Sequence, residues 1–421
     1  MRTDPAIRKL CVIGLGYVGL PTAAVFASRG LDVLGVDVNP DTVATVNAGA
    51  IHIVEPDLDI LVNGAVATGK LRAAAKPEAA DAFIVAVPTP FTAERKPDLS
   101  YVDAAADAVA PVLKKGDLVI IESTSPVGTT ERFSAHLAKL RPNLVFPHDR
   151  PDDADVALAH SPERVLPGRV LIELTRNDRV VGGLTPACAA RAAALYRIAV
   201  DGRMHLTDAR TAELVKLAEN AYRDVSIAFA NELANVASTL GIDAWEAIEL
   251  ANHHPRVNIL NPGPGVGGHC IAVDPWFIVD SAPDDTALIR AARGVNDDRP
   301  ARIVAAVRAA AGDGRKVCCL GLSYKADIDD LRESASIEVA LQLADAGFEV
   351  SVVEPHVKAL PRALAGRANV RLVDLDQGLA ANDVVVLLTD HREFRELDRS
   401  RLAGKAAIDT RGAWRVRPPE A

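Results

Sequence analysis

Along the first part of the chain, short apolar runs alternate with Ala-rich stretches of helical character. Lys9–Gly14, Asp32–Asp37, Ala82–Val87 and Leu118–Glu122 each read as a short buried strand, and Leu20–Arg29 reads as the helix that follows the first of them. Pro88-Thr89-Pro90 closes the third run. Each proline lacks an N–H and biases the residue before it towards extended geometry, so a strand-end loop is expected there. Strands and helices in this order predict a doubly wound parallel sheet.

The longest helix-compatible run is Thr207–Leu240, free of Pro and Gly until Gly241, with Leu214, Leu217, Ala218, Ala221 and Val225 recurring at three- and four-residue steps. It predicts one long helix, or two in line, joining two halves. Apolar residues on more than one face make it a candidate dimer seam; burial between two domains of one chain explains the same pattern. His253–Cys270 follows, crowded with Pro255, Pro262, Gly263, Pro264, Gly265, Gly267 and Gly268, and its backbone cannot be regular. Beyond Gly314 the α/β rhythm returns, with Lys316–Leu320, Glu349–Glu354 and Asp383–Leu388 as strands, Gly321–Arg332 as a loop and Ala335–Ala346 as a helix. The expected fold class is α/β, with two Rossmann-like doubly wound domains, at residues 1–206 and 301–421, joined by a long central helix in a helical domain at 207–300.

A length of 421 residues suits two or three such domains. Lys plus Arg number 47 against 56 Asp plus Glu, a net charge of −9 that argues against nucleic acid as a partner. Hydrophobic residues make up 49% and aromatics only 4%, which favours helices packed on a Val/Ile-rich sheet over an aromatic-rich β-sandwich. Cys11, Cys188, Cys270, Cys318 and Cys319 are too few and too irregularly placed for a disulfide framework or a zinc set, so no metal is expected and a reducing compartment fits. The polar stretch Met1–Lys9 and the glycine-broken run after Leu10 are unlike a signal peptide, and no segment offers about 18 uninterrupted apolar residues. A cytoplasmic protein without a membrane span is expected.

Gly14-x-Gly16-x-x-Gly19 lies where a strand gives way to a helix, and Asp37 ends the next strand 18 residues after Gly19. The first glycine permits a tight turn, the second lets backbone approach a pyrophosphate, and the third brings helix and strand together. Amides at the helix start, including those of Tyr17 and Val18, then face the anion. A carboxylate at Asp37 suits two ribose hydroxyls and repels a 2′-phosphate, favouring NAD over NADP; a glycine-rich turn without ligand is the alternative. Cys270, beside Gly267 and Gly268 and four residues before Asp274, is a candidate nucleophile, whereas the other cysteines read as small buried hydrophobes. Lys216 and Asn220 share a helix face with Arg223 near it: either a solvated surface or a lysine and amide that stabilise a developing alkoxide. Tyr324-Lys325 with Arg332 suits a second phosphorylated ligand, and equally suits pairing with Asp327, Asp329 and Asp330.

Together these residues resemble the UDP-glucose/GDP-mannose dehydrogenase family over almost the whole chain. The matching pieces are Val12-Ile13-Gly14-Leu15-Gly16-Tyr17-Val18-Gly19-Leu20-Pro21, Val87-Pro88-Thr89-Pro90, Glu122-Ser123-Thr124-Ser125-Pro126-Val127-Gly128-Thr129, Ser161-Pro162-Glu163-Arg164, Lys216-x-x-x-Asn220, Gly267-Gly268-His269-Cys270 and Asp329-Asp330-x-Arg332-x-Ser334. Ile51-His52-Ile53-Val54-Glu55-Pro56, Pro162 to Gly168 and His254-Pro255-Arg256-Val257-Asn258 look most like the branch that oxidises UDP-N-acetylmannosamine. Pro167 stands where the UDP-glucose branch carries a glutamate, which favours an acetamido sugar.

The resemblance implies oxidation of a sugar C6 alcohol to a carboxylate with two NAD per sugar, through a thiohemiacetal and a thioester on Cys270. It assigns proton handling to Lys216, Asn220 and Asp274, and the neighbourhood of the reacting water to Glu163 and Thr124. Gly14, Gly16, Tyr17, Val18, Gly19, Asp37, Thr89, Thr124 and Arg332 are the implied NAD contacts. Arg164, Val165, Lys216, Asn220, Arg223, His254, Arg256, Gly267, Tyr324 and Lys325 are implied for the UDP-sugar, and a homodimer or higher oligomer is expected. UDP-N-acetylglucosamine 6-dehydrogenase is the alternative within this chemistry, and a non-catalytic nucleotide-sugar sensor the alternative outside it.

Overall fold

The apolar runs at the start of the chain form strands, each ending a residue or two before its hydrophobic pattern does, because the last residues turn into the loop at the carboxyl end. The computed structural model describes residues 7–92, 94–166, 168–268 and 270–415. They fall into two units, Met1–Glu219 with Trp276–Pro283, and Asn220–Pro275 with Asp284–Ala421. Among the described residues no helix is long and apolar enough to cross a membrane.

The first unit holds β1 (Lys9–Ile13), β2 (Asp32–Val36), β3 (Leu71–Ala74), β4 (Ala82–Val85), β5 (Leu118–Ile121), β6 (Ala157–His160), β7 (Arg179–Gly183) and β8 (Met204–Asp208). They form one sheet in the order β3-β2-β1-β4-β5-β6-β7-β8, parallel except where β6 meets β7. Leu10 and Val12 enter the core on one face, Cys11 and Ile13 the core on the other. Alternate side chains of a strand point to opposite faces, so a sheet covered on both sides needs unbroken apolar runs. The order reverses between β1 and β4, and the crevice above their carboxyl ends is where such sheets receive ligands.

The predicted central helix is one continuous element, Ala209–Leu240. It begins two residues later than its pattern because Thr207 and Asp208 complete β8, and the Asp208 carboxylate accepts the Thr211 N–H at 2.9 Å. The division between the units falls inside this helix. The second unit continues with the helices Ala244–Asn252 and Ala287–Ala311 and a sheet of β9 (Lys316–Leu320), β10 (Glu349–Val353), β11 (Val370–Leu372), β12 (Val384–Leu387) and β13 (Ala406–Asp409). Its order is β11-β10-β9-β12-β13, all parallel. Pro300 lies inside the helix Ala287–Ala311, so the carbonyl of Asn296 loses its usual donor there.

The glycines after β1 have separate duties. Gly14 adopts φ 92°, and a Cβ on Gly19 would sit 1.8 Å from the Gly14 carbonyl oxygen, whereas a Cβ on Gly16 would meet nothing within 4 Å. Gly19→Ala should therefore lower stability in urea unfolding by about 1–3 kcal/mol through overpacking. Gly16→Ala should stay within about 0.5 kcal/mol of the parent.

Candidate active site

The turn after β1 is held from the next strand. Gly14 donates its N–H to the Val36 carbonyl at 2.8 Å, and the Asp37 carboxylate accepts the N–H of Leu15 at 3.0 Å and of Asn39 at 2.9 Å. Asp37 is thereby fixed against the glycine turn, while the space beside Gly16 stays open for close approach to backbone. These residues fit NAD: the open glycine leaves room for a pyrophosphate, and the anchored carboxylate offers acceptor oxygens to a ribose diol. Tyr17 is exposed and Val18 partly buried at the start of the following helix, and half-buried Thr89 and Thr124 follow β4 and β5 along the same row of strand ends. Arg332 belongs to the other unit, where its guanidinium forks onto Asp330, with Nε to Oδ1 at 2.8 Å and Nη2 to Oδ2 at 2.5 Å.

Glu163, Arg164 and Val165 occupy the loop after β6. Glu163 accepts the Arg164 N–H at 2.7 Å and pairs with the buried guanidinium of Arg179. Arg179 also reaches Glu122 at 3.1 Å, and the Tyr196 hydroxyl donates to Glu122 at 2.7 Å. Burial pushes the Glu122 carboxyl up to about 7, while its two carboxylate neighbours keep Arg179 charged. Arg164 pairs with Glu219 at 2.7 Å, and Val165 packs on the core beneath. The far end of the loop is held by Glu55, whose carboxylate accepts the N–H groups of Gly168 at 2.8 Å and Val170 at 2.7 Å.

In the second unit the Pro/Gly loop that leads to Cys270 is clamped on two sides. Gly263 donates to the Asn231 side chain at 2.9 Å and its carbonyl accepts Arg299 Nε at 2.9 Å. Asn231 continues to Asn296 at 2.9 Å and Asn296 to Asp224 at 2.9 Å. On the other side Gly268, at φ 79°, donates to the Arg332 carbonyl at 3.1 Å, and a Cβ on Gly267 would fall 2.7 Å from both the Glu333 carbonyl oxygen and Tyr324 Cβ. Tyr324 is thus packed directly on the thiol loop, and Lys325 beside it is exposed.

Cys270 is exposed, and its carbonyl accepts the N–H of Asp274 at 2.8 Å, a turn that runs into the helix Asp274–Ser281. Asp274 is 3% exposed and accepts Asn220 Nδ2 at 2.5 Å. Asn220, Asp274 and the backbone of Cys270 are therefore joined by hydrogen bonds, and Lys216 stands one helical turn before Asn220. Arg223, His254 and Arg256 are exposed, and no hydrogen bond among the described residues ties His254 or Arg256 to the thiol loop. Pro167 and His269 lie outside the described residues. Asp327, His356 and His391 bring ligand-type atoms within 4.8 Å of one another. His391 already accepts the Asp327 N–H at 2.9 Å and faces Glu354 at 3.1 Å, so this cluster ties the loop after β9 to neighbouring strand ends.

Glu55, Glu122, Arg179, Tyr196, Asn231 and Arg299 had no assigned role in the sequence reading. Glu55 and Glu122 stood only inside pieces that carry the family resemblance, and the other four lay in no motif.

Three domain profiles of the UDP-glucose/GDP-mannose dehydrogenase family match the chain in succession: the NAD binding domain over residues 8–200, the central domain over 210–298 and the UDP binding domain over 318–416. An NDP-N-acetyl-D-galactosaminuronic acid dehydrogenase of Ralstonia nicotianae is 56% identical over 414 residues, 98% of this chain and 97% of its own. A UDP-N-acetyl-D-mannosamine dehydrogenase of Yersinia pestis is 54% identical over 417 residues, 96% of this chain and 99% of its own. Among solved structures, a UDP-D-ManNAc dehydrogenase from Pyrococcus horikoshii superposes with a TM-score of 0.86 at 38% identity, over 98% of this chain and 97% of its own.

Cys11, Cys188, Cys318 and Cys319 are buried, and burial pushes the thiols of Cys11 and Cys318 up to about 12. A thiol that stays protonated and enclosed does not react. An alkylating reagent at pH 8 should therefore label Cys270 first in the native protein and all five cysteines after denaturation, read by intact mass and peptide mapping.

Proposed function

The chain belongs to the UDP-glucose/GDP-mannose dehydrogenase family as an NAD-dependent nucleotide-sugar dehydrogenase, and we propose that it oxidises UDP-N-acetyl-D-mannosamine at C6 to UDP-N-acetyl-D-mannosaminuronate. The observation that carries the chemistry is the Asn220–Asp274 hydrogen bond, which sets two proton-handling side chains one turn from an exposed cysteine. The mannosamine assignment is supported by the Yersinia pestis and Pyrococcus horikoshii relatives. The Ralstonia nicotianae relative favours a second reading, an acetamido sugar of galacto configuration.

Alcohol to carboxylate releases four electrons, and bound NAD supplies the hydride acceptor for each of the two oxidations. Lys216 and Asn220, with Asp274 and a water, draw off the C6 hydroxyl proton and stabilise the alkoxide. The Cys270 sulfur then bonds the C6 aldehyde carbon, giving a thiohemiacetal that again carries a C–H hydride. Loss of that hydride leaves a thioester. Glu163 takes a proton from water as its oxygen attacks the acyl carbon, Thr124 helps to hold that water, and the C–S bond breaks to return the thiol and release the acid. Arg164, Arg223, Tyr324 and Lys325 supply the charge and donors that a diphosphate requires, with Val165 and Gly267 lining the sugar and His254 and Arg256 reaching a second copy's site. Arg332, now on Asp330, would offer its charge to NAD on exchanging that partner.

A dimer is part of this reading. Tyr222, Phe229 and Val236 recur every seven residues on the central helix and are 74%, 53% and 50% exposed, a stripe suited to a second copy of the chain.

Three measurements test the reading. Purified protein given NAD and each UDP-N-acetylhexosamine should produce two NADH per sugar, fastest with the manno epimer; a faster galacto or gluco epimer reassigns the substrate. Cys270→Ser should keep sugar binding but lose acid production at least about a thousand-fold, and normal turnover would exclude the thioester route. Phe229→Asp should shift the sedimentation coefficient from dimer to monomer.

A further inference from the structure

Behind Glu163 lies a second carboxylate that this chemistry does not use. Glu122 follows β5 and is 2% exposed; Arg179 opens β7 and is 5% exposed. Arg179 Nη1 donates to Glu122 Oε1 at 3.1 Å, and Nη2 donates to Glu163 Oε2. Every element around Glu122 contributes to its surroundings. The Tyr196 hydroxyl donates to the same Oε1 at 2.7 Å, the Thr22 hydroxyl lies 3.4 Å from Oε2, and the guanidinium stacks 4.2 Å from the Tyr196 ring centroid. His160 on β6 pairs in register with Ile121, so its ring lies on the opposite face of the sheet, and burial drives its pKa down to about 3, leaving it neutral.

Two carboxylates thus share one guanidinium in an enclosed space. With both ionised the trio carries an uncompensated negative charge, which burial opposes. One proton relieves it, and Glu122 is the holder because it is the more deeply enclosed of the two. Glu163 instead borders a small cleft lined by Pro162, Arg164 and Asp178. Whatever Glu122 does is felt at Glu163 through a single side chain.

We propose that Glu122 is a positioning residue that governs how tightly Arg179 holds Glu163. Protonated, it leaves the guanidinium to Glu163 alone. Ionised, it draws on the same guanidinium and loosens that hold, which frees the Glu163 carboxylate for the water that opens the thioester. This inference rests on Glu163 acting as the base for that water.

The test is single-turnover release of the sugar acid by the NAD-loaded enzyme between about pH 5.5 and 9, the range that brackets the shifted carboxyl. The parent should show a limb rising through about 7 as Glu122 ionises. Glu122→Gln, the neutral isostere, should lose that limb and stay roughly 3- to 10-fold slower at high pH with KM for the sugar nucleotide unchanged. Tyr196→Phe removes a hydrogen bond to the ionised carboxylate and should move the limb to higher pH, so it decides the matter if the Gln variant does not fold. A limb that persists unshifted in both variants while Glu163→Gln is slow overturns the proposal. Parental rates in Glu163→Gln would overturn the assignment of the base itself, and the proposal with it.

Discussion

The backbone before Cys270 lies closer to its neighbours than a side chain on Gly267 would allow, and the placement of the thiol loop depends on that contact. Gly267 meets the backbone of Glu333, Gly268 lies against the Tyr324 ring, and Gly265 sits beside the Asn296 carbonyl that Pro300 leaves without a helical donor. From Pro262 to Gly268 the loop carries no hydrogen-bonding side chain of its own. It is anchored through its peptide groups, by Asn231 and Arg299 from two helices and by the Arg332 carbonyl from a third segment. Buried polar groups left without partners cost about 1–3 kcal/mol each, so the network is specific as well as stabilising. The proline in a long helix and the glycines in the loop answer one another.

The two sheets solve the first turn after their leading strand in the same way. Gly14 and Gly321 both adopt φ 92°, and each donates to the last residue of the neighbouring strand, Val36 at 2.8 Å and Val353 at 2.9 Å. Asp37 accepts the N–H of Leu15, and Glu354 that of Leu322 at 2.7 Å. They part after that. In the first unit a helix starts at Gly19 and leaves its amides facing the crevice; in the second the helix waits until Ala335. The intervening loop is filled by Ser323, His391 and their hydrogen bonds, and presents Tyr324 and Lys325 instead of bare backbone.

Much of this was legible because it is local. Strand runs, the long helix and the glycine turn with its acidic residue all lie within short windows, where periodicity and turn chemistry act. The chain's second long helix, Ala287–Ala311, escaped the pattern because Pro300 interrupts it, and tertiary packing overrides that signal. Glu122, Arg179 and Glu163 are joined across 57 and 16 residues, and Glu213 caps the helix Thr129–Leu140 from 83 residues away. No window contains such pairs. The basic residues of the C-terminal loop show the same limit: the pairing of Arg332 with Asp330, two residues off, and the exposure of Lys325 could not be told from their spacing.

Lys216 and Asn220 lie on opposite sides of the boundary between the two units, yet on one unbroken helix. Four residues at 1.5 Å apiece set them about 6 Å apart along its axis. That spacing belongs to the peptide chain itself. Whatever moves at either end of this helix, the interval between the lysine and the amide is held by a single rod of backbone, which serves as the ruler.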